Sequence, residues 1–193
     1  FLEVTSDLIE DNQKLLGHLL QKNIPKQNTK TFKIEDIWKF GISGDSPIIL
    51  LEIKRIEELY VLDELLETIE FFKVKNIKID LIILNLEKVS YETFIKDGIN
   101  ESIENHRIDY LRNNQIYILN SSEISKEDIE NIQAIANITI KGNIGSVKEN
   151  LEEIEKKFKN EKIEKYKLSE TTENIQLEET KFNNTYGGFT ENE

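Results

Sequence analysis

Cysteine is absent from the 193 residues, so neither a disulfide nor a thiolate metal site can form. Only two histidines occur, His18 and His106, too few for a histidine-rich metal centre. No apolar run approaches the roughly 20 residues of a membrane span. The first residues carry acids and lack the basic segment of a signal peptide. Methionine is missing altogether, even at the first position. The chain opens Phe-Leu-Glu and stops at Thr-Glu-Asn-Glu, so we expect a piece of a longer polypeptide whose function belongs to the parent. Bases are outnumbered, 25 against 37 acids, which leaves a net charge of −12. Such a surface repels phosphate backbones and anionic lipid, so neither nucleic acid nor direct membrane contact is expected of this segment.

What is present is an alternation of two patterns. The runs "IILLEI" (48–53), "IDLIILN" (79–85), "IYILN" (116–120) and "ITIK" (138–141) are short and continuously apolar. Runs of this kind predict buried parallel strands, covered on both faces. Between and after them lie helical patterns over 55–75, 90–106, 125–136 and from 146 on. The first carries Ile56, Leu59, Tyr60, Leu66, Ile69, Phe71 and Phe72; the second Tyr91, Phe94, Ile95, Ile99 and Ile103. The third opens on the capping pair Ser125 and Asp128. The fourth opens on Ser146 and Glu149, with Val147, Leu151, Ile154 and Phe158 at helical spacing. Residues 5–22 predict a further helix, with Ser6 as its cap and Leu8, Leu15 and Leu19 on one stripe. Strands alternating with helices mean right-handed crossovers and a parallel sheet. The expected fold is α/β, a Rossmann-like three-layer domain with a mainly parallel four-stranded sheet, an N-terminal helix and an extended C-terminal tail. For strand order the expectation is 2-1-3-4.

The stretch "WKFGISGDSPIILLEIK" poses the question of a phosphate loop. Such loops lie after a strand and before a helix, where backbone N–H groups face the phosphate. Gly41 and Gly44 instead precede the first strand, and no P-loop lysine follows. A tight turn leading into the sheet, with Asp45 making an Asx-type turn before Pro47, is the favoured reading.

Ligands of open α/β sheets sit at the carboxyl ends of the strands. That draws attention to Asn85, Asn120 and "KGNIGS", where Lys141, Gly142, Asn143, Gly145 and Ser146 could form an anion-holding nest. A capping box closed by Glu149 would use up the same donors and is favoured over the nest. Trp38 and Phe40 could stack on a sugar face, although an aromatic pair before a strand is more often core. His18 reads as a packing or surface residue, and His106 as a cation at a helix C-terminus. No pair of acids stands out as catalytic, no serine lies in G-x-S-x-G, and no cofactor or metal is expected.

Taken in order, "NQKLLGHLLQKN", "IWKFGISGDSPIILLEI", "IDLIILN", "IYILNSSEISKEDI" and "GNIGSVKENL" resemble the cyclic β-1,2-glucan synthase family. The similar region lies just upstream of that family's phosphorylase-like module, which is related to glycoside hydrolase family 94. "FNNTYGGFTENE" resembles the opening of that module's carbohydrate-binding β-sandwich. The resemblance spans about residues 12–193 and is most specific at "W-K-F-G-I-S-G-D-S-P-I". It implies a bacterial parent that makes β-1,2-glucan from UDP-glucose and trims it by phosphorolysis, and that can be anchored in the inner membrane. The catalytic motifs of neither activity match any residue here. The segment would then be a cytoplasmic, non-catalytic accessory domain whose partners are neighbouring domains and β-glucan. A small-ligand-binding Rossmann-like domain is the alternative. On this reading residues 1–30 are a helical lead-in from a preceding domain, 31–160 the α/β domain, and 161–193 a linker and the start of a β-sandwich.

Overall fold

The computed structural model describes residues 6–20, 34–87, 94–106, 115–169, 182–184 and 187–189. Four strands, β1 (Ile48–Ile53), β2 (Asp80–Asn85), β3 (Ile116–Asn120) and β4 (Ile138–Lys141), make one sheet. All pairings in it are parallel. The expected alternation of strands and helices is present, and the fold is Rossmann-like α/β in three layers.

The strand order is β3-β2-β1-β4, not 2-1-3-4. The physical reason lies in the sequences of the strands. Every residue of β1 and β2 is buried, whereas β3 and β4 each keep partly exposed positions. The two most apolar runs therefore take the centre, and the shorter or more polar ones the edges.

Alternation along the strands divides the interior into two cores. Ile49, Leu51 and Ile53 of β1 and Leu81 and Ile83 of β2 face one side. They are covered by α1 (Ser6–Leu20), α2 (Leu59–Val74), α3 (Phe94–Asn105) and the start of α5 (Val147–Ser169). Ile48, Leu50, Ile82 and Leu84 face the other side. There they meet Ile37 on a 3-10 helix (Ile34–Phe40), and Ile132 on α4 (Lys126–Ile135). Lys39 on the former pairs with Asp128 on the latter.

Several expectations change in detail. Ser6, expected to cap α1, is itself helical. The turn before α2 is a 3-10 helix, Ile56–Glu58. Leu66, Ile69 and Phe72 are buried, while Ile56 and Tyr60, on the other side of the helix, are exposed. Ile95, Ile99 and Ile103 bury one face of α3; Tyr91 lies outside the described residues. Phe158 is exposed, although it continues the stripe of Val147 and Leu151.

The chain separates into two compact units, residues 1–154 and 155–193. The second contains the latter part of α5 and an antiparallel hairpin, β5 (Phe182–Asn184) with β6 (Gly187–Phe189).

Candidate functional site

The carboxyl rim of the sheet is the natural place to look for chemistry. Its four strand ends carry Ile53, Asn85, Asn120 and Lys141. Asn85 and Asn120 are register partners on adjacent strands. Their amides meet at 3.4 Å, from Asn85 Nδ2 to Asn120 Oδ1. Asn85 Oδ1 also accepts the Glu87 N–H at 2.9 Å. Asn120 Nδ2 donates to Glu123 Oε1 at 3.0 Å. The sequence picks out both asparagines, and the fold brings them together.

The loop 141–146 has a different character. The Ser146 N–H donates to Glu149 Oε2 at 2.8 Å, and the Glu149 N–H donates to Ser146 Oγ at 3.3 Å. This is a capping box. The next donor, the Val147 N–H, is taken by Glu64 Oε2 of α2 at 2.8 Å. Burial pushes the Glu64 carboxyl above its usual range, and the bond from Val147 pulls it back in part. Two internal carboxylates thus occupy the donors that an incoming anion would need.

The glycines of this loop serve packing. A methyl group at Gly142 would lie 2.7 Å from both Cβ and Oε2 of Glu58. Gly145 has φ +130°, where side chains are strained, and its open side is filled by the Glu149 carboxylate. Asn143 and Lys141 are exposed on the loop surface. Asn150, which no motif singled out, fastens the loop. Its Oδ1 accepts the Lys141 N–H at 2.8 Å, and its Nδ2 donates to the carbonyls of Lys141, Gly145 and Ser146 at 3.0–3.2 Å. Nothing in the sequence marks it, because its burial is a product of the fold.

Two further acids are buried at this rim. Glu58 accepts from the Lys54 N–H at 2.8 Å and from Arg55 Nε at 3.0 Å. Glu52, on the opposite face of β1, accepts from Gln133 Nε2 at 2.6 Å. Both carboxylates are held by donors of the chain itself, so neither is poised as a free acid or base. Among the described residues no group of three or more acids or histidines could hold a metal. Nor is any described helix long and apolar enough to cross a membrane.

At the amino edge, Gly41 and Gly44 take φ values of +77° and +78° in the turn before β1. Ser43 builds the side-chain turn rather than Asp45: its hydroxyl accepts the Asp45 N–H at 3.2 Å. Trp38 is not core. Its ring is 58% exposed, and its Nε1 donates to the Ser43 carbonyl at 3.2 Å. Phe40 does pack on the second core. His106 closes α3, with Nδ1 3.1 Å from the Ser102 carbonyl and 4.0 Å from Asp63.

No known family model and no curated protein matches the chain.

Proposed function

We propose that this chain is a non-catalytic α/β scaffold within a larger carbohydrate-active polypeptide, one that makes or processes β-1,2-glucan. It packs between neighbouring domains of that polypeptide and holds them in register. One observation carries the scaffold reading: the polar groups of the carboxyl rim are spent on each other, with Glu64 and Glu149 seated on the first donors of α5. The glucan context rests on the resemblance at residues 37–53 and along the chain. Exposed apolar side chains fit a docking role. Ile56 and Tyr60 flank Leu59, which packs against Gly98, and Phe94 lies one turn before that glycine.

A second reading has its own observation. The amide contact between Asn85 and Asn120 is long, so both groups could re-pair with a small polar ligand. Calorimetry distinguishes the two. The chain is titrated with UDP-glucose, inorganic phosphate and β-1,2-gluco-oligosaccharides. The scaffold reading expects no heat of binding at millimolar ligand. Binding of UDP-glucose or phosphate, lost on Asn85→Ala, would replace it with the small-ligand reading. Oligosaccharide binding lost on Trp38→Ala would instead make the exposed indole, with Phe40 beside it, a sugar platform.

A further inference from the structure

The boundary between the two compact units falls inside α5, after Ile154. Up to that residue the helix is held by packing: Val147 and Leu151 are buried in the first core, and Ile154 packs against it. Beyond it the cover ends. Residues 156–160 are all exposed, and consecutive helical residues at ~100° each sweep the whole circumference within that stretch. Yet the helix runs on to Ser169. A helix that is polar all round is sustained by pairs among its own side chains or is not stable. We propose that α5 from Glu155 to Ser169 is a self-supporting charged helix, a stiff spacer held by its own side-chain pairs and not by packing on a core.

The sequence of α5 is suited to this. Glu152 stands four residues before Lys156, Glu153 before Lys157, Glu155 before Lys159 and Glu161 before Lys165. Glutamate on the N-terminal side of lysine is the favourable order for such a pair. Glu153, Glu155 and Lys157 each have a hydrogen-bonding or electrostatic partner. The apolar stripe of Val147, Leu151 and Ile154 ends at Phe158, itself exposed. The positions that would continue it are Lys162 and Lys165, and Ile163 and Tyr166 fall well round the helix from it. Neither glycine nor proline interrupts residues 147–169. The unfavourable helix nucleus is formed in the packed part, behind the Ser146–Glu149 box, so the extension only propagates it.

The spacer role rests on the scaffold reading. A domain that holds its neighbours in register needs a connection that keeps its direction, which a charged helix does and a polar coil does not. Residues 155–169 span about 22 Å as helix.

The test is amide hydrogen exchange of residues 156–169 in the whole chain, at one pH, in about 20 mM and about 1 M salt. Protection above that of an unstructured chain is expected in low salt, and less of it in high salt. Replacing Glu152, Glu153 and Glu155 together by glutamine, which has nearly the same helix propensity, should lower it about fivefold, the combined effect of losing such pairs. The amides of β1 and β2 should not change. Protection that survives both the salt and the glutamines would overturn the proposal, because something other than the pairs would then hold the helix. Absence of protection in low salt would overturn it as well. Lys157→Pro is the second handle. It should abolish protection beyond residue 157 and leave the urea midpoint of the sheet where it was; a lower midpoint would make the extension part of the core and overturn the proposal. Ligand binding in calorimetry would remove the scaffold while leaving these exchange results intact, so the two failures are distinguishable.

Discussion

Asn150 is 1% exposed and joins four backbone groups of the loop 141–146 with a single side chain. Replacing it by alanine takes the partner from the Lys141 N–H and from the Gly145 carbonyl, while the Lys141 and Ser146 carbonyls keep the backbone N–H groups of Ile144 and Asn150. Each such group costs about 1–3 kcal/mol, so Asn150→Ala should destabilise by about 3 kcal/mol in urea unfolding. Asp80 acts in the opposite sense. Its carboxyl is raised from 3.8 to about 6, so between these values the folded chain binds more protons than the unfolded one. Stability must then fall as pH rises through that window, by up to about 3 kcal/mol at 1.36 kcal/mol per unit. Asp80→Asn should flatten this part of the profile and be the more stable protein at pH 7. A profile as steep as the wild type's between pH 4 and 6 would show that other carboxylates set the slope. Neither residue was legible in the sequence as special. A buried Asn or Asp looks like any other until the fold removes its water, and Gly142 reads as a nest glycine until Glu58 is seen against it.

Elements were far more legible than their phases. Each of the four apolar runs became a strand, since six or fewer continuous aliphatics bounded by polar residues have few other ways to be buried. The capping pairs were also explicit: Ser125 with Asp128 form a complete box, and Ser146 with Glu149 do the same work at α5. Asp128 is held below the usual carboxylate range by the hydrogen bond from Lys39, with the Ser125 contacts adding to it. Ser125→Ala should therefore cost about 1 kcal/mol, read as a lower urea midpoint with unchanged slope. Sequence spacing could not reveal that α2 is entered through a 3-10 turn. Nor could it set the strand order, although the polarity of β3 and β4 carried a hint: strands at an edge tolerate the exposed positions that both contain. The amides of Asn85 and Asn120 were found by the rule that strand ends in such sheets are where ligands sit, and that rule needs only the chain direction.

At the scale of the α/β unit, the two faces of the sheet are unequally covered. Four helices pack on one face, whereas α4 and a 3-10 helix cover the other. α1 belongs to the heavier side: Leu15 and Leu19 are buried in the same cluster as Ile49 and Leu51 of β1. Its polar contacts follow suit. Asn12 Oδ1 accepts from Thr68 Oγ1 of α2 at 2.9 Å, and Asn137, whose Oδ1 accepts the Ile48 N–H, reaches the Leu19 carbonyl at 3.4 Å. A helix that merely led in from elsewhere would contribute little to the stability of the sheet, whereas one seated in its core contributes as core does. Leu15→Ala should accordingly cost about 2–5 kcal/mol, the range for emptying a leucine-sized space in a packed interior. Ile9→Ala, on the exposed side of the same helix, should cost well under 1 kcal/mol. The two variants together separate packing from helix propensity, because both place alanine in α1 and only one leaves a cavity. If Leu15→Ala unfolds at the same urea concentration as Ile9→Ala, α1 is an appendage of the sheet and not one of its layers.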